Sequence, residues 1–207
     1  MKLDIVDNSY SYSIYLVPGL LAWTSFSTIL TRLNSSILEK ANLIKKINVP
    51  VFVYQLSIII TEFGVLMLSY SLALIFLLLV NHPITLTFIY LIPILFLQTL
   101  FAFALGVIIS MFTPFFKDLK EAVPIVVQLW FWMTPIIYMR EMIADKFPSL
   151  LIYNPFYYFA QIYQDIFLYS KAPSLYAISI ILAISILTLL LAGFLYKKMI
   201  GTIKDII

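Results

Sequence analysis

The chain contains no cysteine, a single histidine and five glycines, and only 11% of its 207 residues are charged. Without cysteine there are no disulfides, no thiolate metal sites and no cysteine nucleophiles. The lone histidine, His82, sits in a turn sequence and reads as a solvated surface residue, because a metal site needs further donors converging on the ion. Glycine is too sparse for a Gly-rich phosphate loop, and none ends in Lys-Ser/Thr. The shortage of charge is the most informative absence. Soluble proteins carry about 25% charged residues, whereas this chain is 63% hydrophobic. A water-soluble domain of this length could not bury so much apolar surface.

What remains is arranged in long apolar runs. Residues 83–116 include no charged side chain. A hydrocarbon core about 30 Å thick needs about 20 helical residues to cross it, so this run reads as a membrane span. Charge-poor stretches at 14–30, 51–80, 122–138 and 175–196 follow the same logic. The expected fold is all-α: a polytopic membrane helix bundle forming one transmembrane domain over residues 1–207. It would have five transmembrane helices, at 14–30, 51–80, 86–116, 122–138 and 175–196. The opening thirteen residues are polar and carry Lys2, Asp4 and Asp7, which does not fit a cleaved signal peptide.

Basic residues set the expected orientation. If the first span runs from outside to inside, the inner segments hold Arg32, Lys40, Lys45, Lys46, Lys117, Lys120, Lys197, Lys198 and Lys204, against Lys2, Arg140, Lys146 and Lys171 outside. That bias predicts an external N-terminus and a cytoplasmic C-terminus. The net charge of +3 gives no basic stripe of the kind that binds nucleic acid. The inner loop 31–50 spaces Leu33, Ile37, Leu38, Leu43, Ile44 and Ile47 near helical periodicity, so part of it should be a short amphipathic helix ending before Pro50. The outer segment 139–174 mixes charges with apolar residues and is broken at Asn154-Pro155. It predicts two amphipathic helices dipping into the outer face.

Few residues within the spans can carry chemistry. Glu62 lies eleven residues past Val51, roughly mid-membrane at about 1.5 Å per residue. An unpaired charge there costs at least about 2.5–3.5 kcal/mol, so Glu62 should face a polar path or hold a partner, or else stay protonated on a neighbouring hydroxyl. Ala102, Gly106 and Ser110 recur at four-residue spacing and allow a second helix to approach closely. Ten of the fourteen tyrosines fall at outer positions. They form an interfacial aromatic belt, or some of them, with Trp23, Trp130 and Trp132, line a path where rings stack on sugars. Glu141, Asp145 and Asp165 are the carboxylates available for acid–base work, and the reading they favour is the solvated face of an interfacial helix.

Several segments, taken in order, resemble one family. Pro18-Gly19-Leu20-Leu21-Ala22-Trp23-Thr24-Ser25-Phe26-Ser27 resembles the "GLLPWxFFS" stretch of ABC-2 type permeases of the polysaccharide-export branch. Ala41-Asn42-Leu43-Ile44-Lys45-Lys46-Ile47-Asn48-Val49-Pro50 is similar to their "NANLIKKVxFP" loop. Phe115-Phe116-Lys117-Asp118-Leu119 resembles "FYRDL" with Lys for Arg, and Trp132-Met133-Thr134-Pro135-Ile136-Ile137-Tyr138 resembles "FxSPIxY". Tyr153-Asn154-Pro155-Phe156 with Tyr163-Gln164-Asp165 is similar to the "NPxxxxxxxxRD" signature, with Gln164 in place of Arg. Relative to the family, an N-terminal amphipathic helix and a first span are missing.

The resemblance implies a permease subunit, not an enzyme, in an ATP-driven exporter of lipid-linked polysaccharide such as O-antigen, capsule or teichoic acid. Such a subunit lies in the bacterial plasma membrane, pairs with a second copy of itself and binds no cofactor, ATP being held by a separate ATPase. It implies ATPase coupling through Asn42, Leu43, Ile44, Lys45, Lys46, Lys117 and Asp118, with Leu43 and Ile44 filling a partner's groove. The translocation path would run by Glu62, Trp23, Trp130 and Trp132. An outer gate would use Asn154, Pro155, Tyr157, Tyr158 and Asp165. The alternatives are an ABC-2 exporter of drugs or lipids, and an intramembrane transferase using Glu141, Asp145 and Asp165.

Overall fold

The computed structural model describes residues 10–46, 50–140, 142 and 148–206. Glu141, Asp145 and Lys146, and the side chain of Lys45, lie outside the described residues. Within hydrocarbon every backbone N–H and C=O must be paired inside its own segment, so apolar runs of this length become helices. Helix α1 spans Ser11–Glu39, α2 Ala41–Lys46, α3 Val51–Leu79, α4 Leu91–Phe112, α5 Leu119–Trp132, α6 Pro148–Ile152, α7 Pro155–Tyr169 and α8 Leu175–Ile206. A 3-10 turn at Leu86–Tyr90 leads into α4.

Four segments are long and apolar enough to cross a bilayer: α1, α3, residues 86–112 and α8. The expected span 122–138 is not one continuous helix. Its helix, α5, has only 14 residues, about 21 Å, short of the hydrocarbon thickness. Residues 133–138 continue in turns instead. Even so, the segment follows α1 almost end to end. Asn34 donates to the carbonyls of Leu119 and Lys120, and Tyr12 at the other end of α1 donates to Ile137. Those two α1 positions are about 33 Å apart along the helix. Pro124 explains part of the irregularity: it lacks the amide that would bond the Lys120 carbonyl, and Asn34 Nδ2 takes that place at 3.2 Å.

Helix α1 is the hub, packing against α3, α4, α5 and α7, while α4 also packs along α8. Its path is set by two close approaches. A Cβ on Gly106 of α4 would stand 2.5 Å from Leu33 Cδ1 and 2.9 Å from Leu33 Cβ, so glycine is what lets α1 and α4 meet. Gly19 admits Ile136 from the stretch after α5 in the same way, with its hypothetical Cβ at 3.3 Å. Ala102 and Ser110, on the same α4 stripe, are fully buried. Ser110 also accepts a hydrogen bond from Gln55 of α3 at 2.8 Å. The small-residue repeat is a packing device between helices of one chain.

Three further expectations change. The loop expected at 31–50 begins only after Glu39, because α1 continues well past the apolar run. The two helices expected in 139–174 are present as α6 and α7, but α7 lies inside the bundle, with Phe156, Phe159, Tyr163 and Ile166 fully buried. A helix apolar on most of its faces is drawn into the core rather than laid on a surface. His82 is buried, at 6% exposed, not solvated. Asn81 adopts a left-handed conformation (φ 54°) just past α3, which folds the chain back so that the His82 amide caps the Leu77 carbonyl at 3.0 Å.

Candidate functional site

At the end of α1 that carries Asn34, two groups form an ion pair across helices. Arg32 of α1 engages Glu62 of α3 through Nη1 and Oε1. Glu62 is buried, with its side chain 9% exposed, whereas the Arg32 side chain is 47% exposed. The mid-membrane carboxylate therefore has its partner thirty positions earlier, on a residue that the loop reading had placed outside the spans. Beside the pair lies a cavity of about 510 Å3 between α1 and α3, with Ser36, Glu39, Lys40, Tyr54 and Ser57 in its wall. A second hollow, of about 340 Å3 between α1 and α5, is bordered by Trp23, Thr24, Ser27, Thr31, Gln128 and Phe131.

The two hollows share Thr31, and their α1 residues form one stripe. Thr24, Ser27, Thr31 and Ser35 recur every three to four positions, so they face one side of the helix. Thr24 and Gln128 are exposed, Thr24 within a helix long and apolar enough to cross a membrane. The Thr24 hydroxyl returns a hydrogen bond to the Leu20 carbonyl at 2.8 Å, which makes it tolerable in lipid. The Arg32 guanidinium is satisfied only in part, by Glu62, and the exposed Gln128 carboxamide makes no such backbone bond among the described residues, so this side of the bundle is better matched to water or protein than to acyl chains.

The tryptophans separate. Trp23 is 5% exposed and sits in an aromatic cluster, its ring edge-on to Trp130 at 5.8 Å and to Phe156 at 4.8 Å. Only its margin reaches the α1–α5 hollow. Trp130 is half-buried, and its Nε1 donates to Asn154 Oδ1 at 2.9 Å. Trp132 is 58% exposed. Trp23 and Trp130 thus pack against each other behind the stripe, and Trp23 also borders the α1–α5 hollow.

The residues expected to gate are joined by specific bonds. Asn154 caps α7, accepting from the Phe156 amide at 3.1 Å and donating to Thr134 Oγ1 at 2.8 Å. Pro155 follows at the first helical position, where its missing amide costs nothing. Tyr158 is buried and donates to the Ile152 carbonyl at 3.1 Å, and the Tyr157 ring leans on it at 5.4 Å. Asp165 is ion-paired with Arg140 at 2.9 Å. Gln164, where the resembling pattern has arginine, donates to the Pro135 carbonyl at 3.0 Å. Sequence reasoning missed Arg140 because its partner lies across the fold.

At the basic end, Asn42, Lys46, Lys117 and Asp118 are exposed and Leu43 is half-buried. Ile44 is 8% exposed and belongs to a small core with Ile37, Val51, Met111 and Ile203, which anchors α2 to its own chain. Among the described residues no group of three His, Cys, Asp or Glu side chains could hold a metal ion.

These features define a polytopic helical membrane protein whose spans enclose a polar, ion-paired face. Comparison with known families makes the class specific: residues 2–168 match the ABC-2 type transporter family, and the chain belongs to it. It is 29% identical over 180 residues to an O-antigen export system permease protein RfbA of Klebsiella pneumoniae, covering 84% of this chain and 70% of that protein. A second protein of that name from the same organism is 32% identical over 146 residues, or 70% of this chain and 56% of the relative. The counterpart from Myxococcus xanthus is 26% identical over 193 residues, 92% and 74% of the two chains.

Proposed function

We propose that this chain is the membrane-spanning subunit of an ATP-driven exporter of lipid-linked polysaccharide, as the names of its relatives suggest. The observation that carries this reading is the polar face of α1. Gln128 and the half-exposed Arg32 make this a side poorly suited to lipid, and the hydroxyls from Thr24 to Ser35 line it. A second copy of the chain closing over that side would convert it into a water-filled path for a hydrophilic polymer. The exposed set Asn42, Lys46, Lys117 and Asp118 would dock a separate ATPase subunit, with the acidic groups of that partner meeting the two lysines. On this reading the basic end lies in the cytoplasm and the N-terminal end of α1 outside, in a bacterial plasma membrane. Trp132, Tyr157 and the Arg140–Asp165 pair would sit at the external mouth.

The test is surface display of polysaccharide in cells lacking the native permease, with the ATPase encoded beside this gene co-expressed. Restored display, abolished by Thr31→Trp without loss of ATPase co-purification, supports the path. Lys46→Glu with Lys117→Glu should instead release the ATPase. Display untouched by both changes would refute the reading. An exporter of drugs or lipids would restore no surface polymer. A transferase would alter the glycan rather than its location, and would depend on Asp165.

A further inference from the structure

The α1–α5 hollow has a definite end. Toward Tyr12 its wall stops at Leu20 on α1 and Phe131 on α5. Just beyond, residues 133–138 leave helical form and pack against α1 as a strap. Thr134 and Ile136 are fully buried in it, and Ile136 Cγ2 lies 3.3 Å from the place that a Gly19 Cβ would take. The strap therefore closes the hollow at its Tyr12 end. None of the residues expected to gate belongs to this stretch.

Bonds of unequal kind hold the strap on its two sides. Toward α7 the donors are buried. Gln164, 1% exposed, bonds the Pro135 carbonyl at 3.0 Å, and Asn154 bonds Thr134 Oγ1 at 2.8 Å. Breaking either would strand a polar group in the protein interior. Toward α1 the donors are phenols. Tyr12, 47% exposed, donates to the Ile137 carbonyl, and Tyr15 donates to the Tyr138 carbonyl, each at 3.0 Å. Ile137 and Tyr138 are only half-buried, so water can take over both carbonyls. Between these bonds and the hollow, α1 presents a glycine, which has no side chain to interlock with Ile136. We propose that residues 133–138 are the outer seal of the export path, a strap that stays with α7 and parts from α1 when polymer passes, with Tyr12 and Tyr15 as its latch. This rests on the export reading and locates the moving contact at the seam between α1 and the strap.

The chain has no cysteine, so introduced thiols report on single positions. Spheroplasts carrying the Ile136→Cys chain and its co-expressed ATPase are treated with a membrane-impermeant maleimide. Ile136 is fully buried, so labelling at rest should be slow. It should rise at least about fivefold during export, relative to an ATPase unable to hydrolyse ATP, because labelling follows the population of the open form. Adding Tyr12→Phe and Tyr15→Phe keeps both rings and removes both hydroxyls. Labelling at rest should then rise about tenfold, the worth of one or two hydrogen bonds. Tyr196→Phe removes a hydroxyl bonded to the Phe52 amide, at 3.1 Å, at the opposite end of the bundle, and should leave labelling unchanged.

A second arm fixes the seam. Gly19→Cys with Ile136→Cys sets two Cβ atoms 3.9 Å apart, within the range of a disulfide. The bridged chain should lose surface display of polymer and regain it in dithiothreitol, while each single variant should be indifferent to oxidant. Position 136 staying shielded in a chain that exports, or a bridged chain that displays polymer as the reduced one does, would overturn the seal. Should the paired variant fail to fold, the labelling of Ile136→Cys decides alone. Should the unaltered chain restore no surface polymer, the export reading falls instead.

Discussion

Removing Arg32 should harm the protein far more than neutralising its partner. The reason is the unequal burial of the pair: the Glu62 side chain is 9% exposed and that of Arg32 is 47%. In Arg32→Ala the carboxylate stays in a helix-lined interior without a cation, a situation costing about 3–5 kcal/mol in buried pairs and about 2.5–3.5 kcal/mol on membrane-insertion scales. Taking about 3 kcal/mol, the melting temperature of a chain this size should fall by roughly 6–12 °C. Glu62→Gln leaves a guanidinium that still reaches cavity water, so its cost should stay near 1 kcal/mol, as for partly exposed pairs. The double variant should resemble Glu62→Gln alone, a departure from additivity of about 3 kcal/mol. Thermal unfolding in nanodiscs, followed by the fluorescence of buried Trp23, measures all four corners of this cycle. If the two single effects simply add in the double variant, to within about 0.5 kcal/mol, the ion pair does not bind α1 to α3 as argued.

Three other outcomes can be checked in the same assay. Gly106→Ala should destabilise by about 1–3 kcal/mol, because the new methyl would sit 2.5 Å from Leu33 Cδ1. Adding Leu33→Ala should recover part of that loss, though not all, since the contact with Leu33 Cβ at 2.9 Å remains. Asn34→Ala should cost about 1–2 kcal/mol by stranding the Lys120 carbonyl, and Pro124→Ala in the same chain should return some stability by restoring an amide to it. Asn154→Ala should lower stability by about 1–2 kcal/mol through loss of the α7 cap and should change the Trp130 emission maximum, because the indole N–H loses its acceptor.

The membrane-spanning character was fixed by composition, because a bilayer imposes length and apolarity on each segment regardless of its neighbours. Val51–Leu79 matches its apolar run almost to the residue for that reason. The close approach at Gly106 was also legible, since a small-residue repeat has one physical use between helices. The division between α5 and the turns after it was not: an apolar run does not record where helical bonding stops, and Pro124 and the carbonyl contacts of residues 133–138 only have meaning beside α1. The placement of α7 inside the bundle was equally hidden. Its single charge, Asp165, and the neighbouring Gln164 look suited to a surface until Arg140 and the Pro135 carbonyl are brought to them from another segment. Glu62 shows the boundary most clearly. One sequence position in an apolar run demands a partner, because burying a lone charge is costly. Which of thirteen basic residues supplies that partner depends on how two helices cross, and only the tertiary structure decides it in favour of Arg32.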